Sequence, residues 1–310
     1  MDVVTHGLVG GLVACAVSGR VTWPVLAAAV GGAVVPDIDV VARFWDPVAA
    51  ITVHRTATHS VIGGLPLAAS VAAALRLAGA RASFWRLAGF AYLGVLSHIA
   101  LDLVTPFGTA ALWPLDTRRL SLPWLYVIDA VVVGLVLAGL VAAARSPRLR
   151  TWGPRAAVAA LVAYVLVAGL ASRTAEAEFR RRLDGQGVAP LRTVLTPVFP
   201  GPVRWLGVAE TPDTLYQARF WLGSPSTSPV GVLARGVPPP ASALEQRREV
   251  RAFRAFARVP WLRAWADGER QVVEYRDLAF EDHPLGGPMA LRFELDRLGT
   301  VRTVTLGHRL

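Results

Sequence analysis

The chain has 310 residues, of which 54% are hydrophobic and only 17% charged, and its mean hydropathy is +0.45. That apolar excess excludes an ordinary soluble domain and points to a membrane protein, with length for roughly two domains. The formal net charge of +10 comes from arginine without any lysine, and the single cysteine, Cys15, lies in an apolar run, which excludes a disulfide framework and a cysteine-based zinc site.

The first stretch, "MDVVTHGLVGGLVACAVSG", has Asp2 as its first charge and no basic leader, so a cleaved signal peptide is not expected. Apolar runs follow at 7–17, 24–36, 60–78, 87–104, 125–144 and 156–171. The last four approach the roughly 20 residues that span a bilayer core. The first two are short and suit a tight helical hairpin, in which Gly10, Gly11, Gly31 and Gly32 permit close contact. Arg20 follows the first run, Arg76, Arg81 and Arg86 follow the third, and Arg145, Arg148, Arg150 and Arg155 follow the fifth. If the segments alternate, these connections share one side, and the excess of arginine makes that side cytoplasmic. The basic charge is then a topology signal, and nucleic acid is not an expected partner. Connections 37–59 and 103–124, and everything beyond 172, face outward.

From residue 174 the composition becomes mixed and charged. "VRWLGVAE", "TLYQARFWLG", "VGVLARG", "QVVEYRDLAF", "MALRFELD" and "VRTVTLG" read as strands, several alternating apolar with polar. "GVPPPAS" breaks the chain, and "SALEQRREVRAFRAFARV" reads as an amphipathic helix starting near Ser242. No internal repeat is visible. The expected fold is an α-helical membrane domain over 1–173, with about 4–6 membrane-embedded helices, followed by a small α+β domain over 174–310 on the outer side.

The polar residues of the apolar half fall in four places. His6 begins the first run, "PDID" with Asp37 and Asp39 ends the second, "HRTATHS" with His54 and His59 begins the third, and His98 and Asp102 end the fourth. Alternation brings all four to one membrane side at one depth, and ionisable groups there are costly unless paired or functional. His98 and Asp102 are i and i+4, on one helix face, where they can share an ion. His54 and His59 cannot align on one helix face, and fit a loop ligand and a helix-start ligand. Asp37 and Asp39 point oppositely if extended, so one binds directly and the other orients a histidine. Imidazole with carboxylate suits zinc, with manganese or iron as alternatives. A lone histidine at a helix end is ordinarily just hydrogen-bonded; the argument rests on the set. His283 and His308 have no such pattern and receive no role.

A metal here activates a water and polarises a phosphoryl or carbonyl oxygen. Arg55 is the candidate catalytic group, pairing with a phosphate oxygen; pairing with Asp37 or Asp39, or interfacial anchoring, stays equally open. Thr58 and Ser60 read as helix caps. In the loop 105–124, Trp113 and Trp124 suit the interface, while Arg118 and Arg119 suit interfacial anchoring or phosphate headgroups. No G-x-S-x-G elbow, P-loop or dinucleotide fingerprint occurs.

"THGLVGG", "PDID", "HRTATHS" and "SHIALDLVTPFG", in that order, resemble the membrane-bound, metal-dependent hydrolases of the YdjM group over residues 1 to about 170. A more distant similarity is to zinc-dependent phospholipase C and P1 nuclease. That likeness implies His6, Asp37 or Asp39, His59, His98 and Asp102 as ligands, with Asp102 as a bridge where two ions are held. Residues for a third ion are not found. The resemblance implies a multi-pass protein of the bacterial inner membrane that hydrolyses a phosphoester or lipid-linked substrate, with membrane lipid as its surroundings. A metal or proton transporter, and a scaffold with a structural metal and a partner-binding outer domain, are the competing expectations.

Overall fold

The computed structural model of the chain describes residues 1–18, 21–46, 48–224, 231–234, 243–281 and 289–308. Arg20, His283 and the "GVPPPAS" break with Ser242 lie outside them. Two compact units form, one of residues 1–41 and 53–170, the other of 42–52 and 171–310.

The first unit is helical. Helices α1 (Val3–Ser18), α2 (Trp23–Val34), α4 (Gly64–Leu77), α5 (Phe84–Leu103) and α6 (Ala130–Arg145) follow the apolar runs, and α7 (Pro147–Asp184) opens here. A short helix, α3 (Ala49–Thr52), lies between α2 and α4 in the chain and belongs to the second unit. Local signals set several helix starts. Pro24 opens α2, Ser83 caps α5 by accepting from Arg86 N, and Asp129 caps α6 by accepting from Val131 and Val132 N. By length and composition, Trp23–Phe44, Phe84–Leu103 and Pro147–Asp184 are long and apolar enough to cross a membrane. Val3–Ser18, Gly64–Leu77 and Ala130–Arg145 are apolar but shorter. Expected spans at 60–78 and 125–144 thus appear as helices of 14 and 16 residues.

Helix α2 lies against α1 and α5, and α4 lies against α5. The α2–α5 contact is backbone to backbone. A Cβ placed on Gly32 would lie 1.9 Å from the Ala91 carbonyl oxygen, and one on Gly94 would lie 2.1 Å from that of Ala29. Only glycine permits such an approach. Gly10 makes a similar allowance for Ala29 and Ala33, whereas Gly11 meets only ordinary side-chain contacts.

Beyond Val34 the chain tightens into a 3₁₀ helix, Val35–Phe44, rather than extending. Asp37 and Asp39 therefore do not alternate across a strand. Residues 42–52 group with the second unit, where Ile51 joins an apolar cluster with Val250 and Phe253.

The second unit contains two four-stranded antiparallel sheets, each in chain order. The first comprises β1 (Arg192–Val198), β2 (Gly201–Glu210), β3 (Thr214–Trp221) and β4 (Gly231–Ala234). The second comprises β5 (Pro260–Asp267), β6 (Arg270–Asp277), β7 (Met289–Leu295) and β8 (Val301–His308). Phe179 and Leu183, near the end of α7, pack with Trp205 and Phe220 of the first sheet. Val250 and Phe253 of α8 (Arg248–Phe256) pack with Tyr275 and Phe293 of the second. One helix on a four-stranded meander therefore occurs twice. The helix expected from near Ser242 begins only at Arg248. One buried carboxylate is satisfied locally: that of Asp277 accepts from the backbone N–H of Arg258, Val259 and Ala279 at 2.8, 3.0 and 3.1 Å.

Candidate metal centre

The chain order of the helices decides where the polar residues meet. His6 sits early in α1, Asp37 and Asp39 follow α2, His59 precedes α4, and His98 and Asp102 end α5. Side chains of His6, His59, His98 and Asp102 are almost wholly buried, at 0–1% exposure.

Asp102 is the hub. One oxygen, Oδ1, lies 3.3 Å from His6 Nε2, 3.0 Å from an Arg55 guanidinium nitrogen and 2.5 Å from the amino group of Met1. The other, Oδ2, lies 3.5 Å from His98 Nε2 and 3.7 Å from His59 Nε2. His6 and His98 stack, with ring centroids 3.6 Å apart and planes 17° from parallel. His98 Nδ1 is 2.7 Å from the Ala33 carbonyl oxygen, so Nδ1–H donates there and Nε2 is left with its lone pair facing inward. The close α2–α5 contact at Gly32 brings that carbonyl into reach.

Asp37 Oδ1 extends the cluster, 3.2 Å from His59 Nε2 and 3.7 Å from His98 Nε2. Asp39 is different. Its Oδ1 is 2.7 Å from His54 Nδ1, and its Oδ2 accepts from Thr58 Oγ1 at 2.6 Å and from Arg55 N at 3.3 Å. His59 Nδ1 is 3.3 Å from the same Oδ2 and 2.9 Å from Thr58 Oγ1. Asp39 thus holds His54, the backbone of Arg55 and the rear of His59 together.

Three groupings place one ligand atom from each member within 4.8 Å: His6, His98 and Asp102; Asp37, His59 and His98; and Asp39, His54 and His59. They share His98 and His59 in turn. In the first two, His6 Nε2, His98 Nε2 and Asp102 Oδ2 are buried without a hydrogen-bond partner among the described residues. A cation fits there, because it would satisfy atoms whose burial otherwise carries a cost of about 1–3 kcal/mol each. In the third, the Asp39 oxygens and His54 Nδ1 are already engaged.

Arg55 does not point freely outward. It is 6% exposed, donates to Thr105 Oγ1 at 3.1 Å, pairs with Asp102, and lies 5.0 Å from the centre of the Phe107 ring. Its backbone is in the left-handed region, φ +62°, and its carbonyl accepts from Ala110 N at 2.9 Å. Arg119 donates to the His54 carbonyl at 2.9 Å. Burial, and then the like charge of Arg55, push the Arg119 guanidinium down to about 10, so it stays charged at neutral pH. Arg118 is 82% exposed and pairs with Asp116. Neither Thr58 nor Ser60 caps α4: Thr58 serves Asp39, and Ser60 Oγ accepts from Gly63 N in the turn before the helix. Sequence reasoning passed over Ala33 and Thr105, which act through a main-chain carbonyl and a hydroxyl. Neither carries a residue-type signal, although Thr105 stands at i+3 from Asp102.

The chain matches the family model described as "YdjM inner membrane protein" over residues 1–175, more than half its length, and it belongs to that family. A protein of Bacillus subtilis (strain 168), named "Uncharacterized protein YfhP", is 27% identical over 122 residues, which is 37% of each chain. That match takes in little more than a third of the Bacillus protein. No solved structure matches.

Proposed function

From membership in an inner-membrane family and a buried His/Asp cluster, we propose that this protein is a membrane-embedded, metal-dependent hydrolase of phosphoesters, with lipid-linked phosphoesters as the favoured class. The supporting observation is the set of buried, unpartnered atoms on His6, His98 and Asp102, which two helices far apart in the chain, α1 and α5, deliver to one place. His6, His98 and Asp102, with Asp37 and His59, would hold one or two divalent ions, zinc first by donor type and manganese or iron next. Bound there, such an ion lowers the pKa of a coordinated water and polarises a phosphoryl oxygen.

The chain's own groups do the rest. Asp39 and Thr58 orient His59 from behind, and the Ala33 carbonyl fixes the His98 tautomer. Arg55 offsets the charge of Asp102 and, in this reading, is a positioning residue before it is a phosphate ligand. The arginine-rich connections 76–86 and 145–155 favour a cytoplasmic side opposite the site, and in this reading the site and the C-terminal unit face outward. A site at the outer leaflet meets water and lipid headgroups together, which favours the lipid-linked class.

The test is metal content and hydrolysis by detergent-purified protein, resupplied with zinc or manganese, on bis-p-nitrophenyl phosphate and on phospholipid in mixed micelles. One or two ions per chain with turnover, both lost in a folded His98→Ala/Asp102→Ala variant, is the expected result. A folded wild type that takes up no metal sinks the proposal. Metal whose removal unfolds the protein, without turnover, would favour a structural centre.

A further inference from the structure

The third histidine–carboxylate grouping is built differently from the other two. His54 is the most exposed of the four site histidines: its side chain is 26% exposed, against 0% for His6, His59 and His98. Its Nδ1 is 2.7 Å from Asp39 Oδ1, and that carboxylate is itself 3% exposed. Asp39 is further held by Thr58 Oγ1 and Arg55 N, so its position does not depend on His54. The backbone at 54–55 is pinned as well, by Arg119 on the His54 carbonyl and by Ala110 N on that of Arg55. The ring stands edge-on to His59, with centroids 5.1 Å apart.

A metal ligand presents a lone pair to a closed cluster. Here the nitrogen facing the buried carboxylate is already hydrogen-bonded, and Nε2, at the far side of a partly exposed ring, is the atom free to exchange a proton. A buried carboxylate on Nδ1 that fixes the tautomer and stabilises the imidazolium is the arrangement a general base requires.

We propose that His54, held by Asp39, is the proton-transfer group of this site and not one of its metal ligands. The inference rests on the hydrolase reading above. As the oxygen of an attacking water uses a lone pair to bond to phosphorus, His54 Nε2 takes one proton from that water and becomes the imidazolium. The bond from phosphorus to the leaving oxygen then breaks on the opposite side, its electron pair passing to that oxygen, which takes a proton from solvent, while Nε2–H gives its proton up to solvent. One water is consumed, an alcohol and a phosphate monoester leave, and His54 is neutral again. Asp39 touches no reacting atom and is a positioning residue.

The test uses the full-length, zinc-loaded protein in detergent, treated with diethyl pyrocarbonate and mapped by peptide mass spectrometry. Carbethoxylation of His54, with His6, His59 and His98 protected and zinc retained, is expected. A His54→Gln variant should keep the wild-type zinc content while hydrolysing bis-p-nitrophenyl phosphate at least about a hundredfold more slowly. Loss of zinc from His54→Gln, or modification of His54 only after chelation, would show a ligand and overturn the inference. So would a His54→Gln variant that binds zinc and hydrolyses at the wild-type rate, a result that leaves the hydrolase reading standing. A folded wild type that binds no zinc, or binds it without hydrolysing either soluble or lipid phosphoesters, instead defeats that reading and the inference with it.

Discussion

Both units bury carboxylates, but they treat them differently. Asp277, in the sheet unit, fills both its oxygens with three backbone N–H donors. Asp102, in the helical unit, has Arg55 on one oxygen while the other lies unpartnered in a cluster with the open Nε2 atoms of His6 and His98. Open buried atoms occur in the sheet unit too, such as Arg247 Nε, Glu274 Oε2 and Arg292 Nε. Each belongs to a side chain with another atom in an ion pair, and the three ligand groupings found among the described residues all lie in the helical unit. A saturated carboxylate holds a loop in place; convergent unsaturated atoms are the ones the proposed cation would satisfy.

The strongest way to break this contrast is to remove Asp102. Asp102→Ala takes away the hub and strands a buried guanidinium, which is expected to cost about 3–5 kcal/mol and to abolish zinc uptake, read by denaturant titration in detergent and by elemental analysis. Restoring apolar packing with Arg55→Met/Asp102→Leu should recover much of the stability but none of the zinc. If it recovers neither, the site is no different in kind from Asp277. Asp277→Ala is the counterpart. Three N–H groups lose their acceptor, for about 3 kcal/mol at roughly 1 kcal/mol each, with zinc content unchanged. Metal loss in that variant would erase the distinction.

Smaller changes sharpen it. Gly32→Ala forces α2 and α5 apart and is expected to cost about 1–3 kcal/mol. It should also weaken zinc binding, because His98 Nδ1 loses its hold on Ala33. Zinc titration followed by equilibrium dialysis would reveal either effect. Thr58→Ala removes one donor to Asp39 and should change global stability by only about 1 kcal/mol, yet reduce zinc affinity roughly tenfold through the support of His59. If the proposed site holds zinc, acidification is expected to release it from the wild type, read by elemental analysis after dialysis, since His6, His59 and His98 must be neutral to bind.

The helical unit was largely legible because apolar runs and capping residues are local signals. The grouping of His6, His98 and Asp102 followed from alternation alone. What the residues could not show was direction. Asp37 and Asp39 share a 3₁₀ turn in place of the extended segment anticipated for them, so the split between an inner and a supporting carboxylate has a helical origin. Arg55 is turned inward to Asp102 by a left-handed backbone that no residue-type rule assigns to arginine. Strands β1 and β5 are missing from the strand-like runs read in the sequence, and both carry proline; Pro260 sits at the first residue of its strand and Pro197 beside a register shift, two places where a sheet tolerates proline. Residues 42–52 read as part of the first domain because chain order says so, whereas Ile51 finds its apolar neighbours in the second.

The bond between His98 and Ala33 has a consequence for how this centre tolerates change over generations. Its acceptor is a main-chain oxygen, so no substitution at position 33 deletes it. The tautomer of His98 is inherited with the helix pairing and is insulated from drift in any supporting side chain. Vulnerability moves instead to bulk: Gly10 and Gly32 sit where a single added methyl would meet atoms of the neighbouring helix. The hold on His98 Nδ1 therefore depends on small residues at the helix contacts, Gly94 beside Ala33 included, rather than on the identity of a supporting side chain.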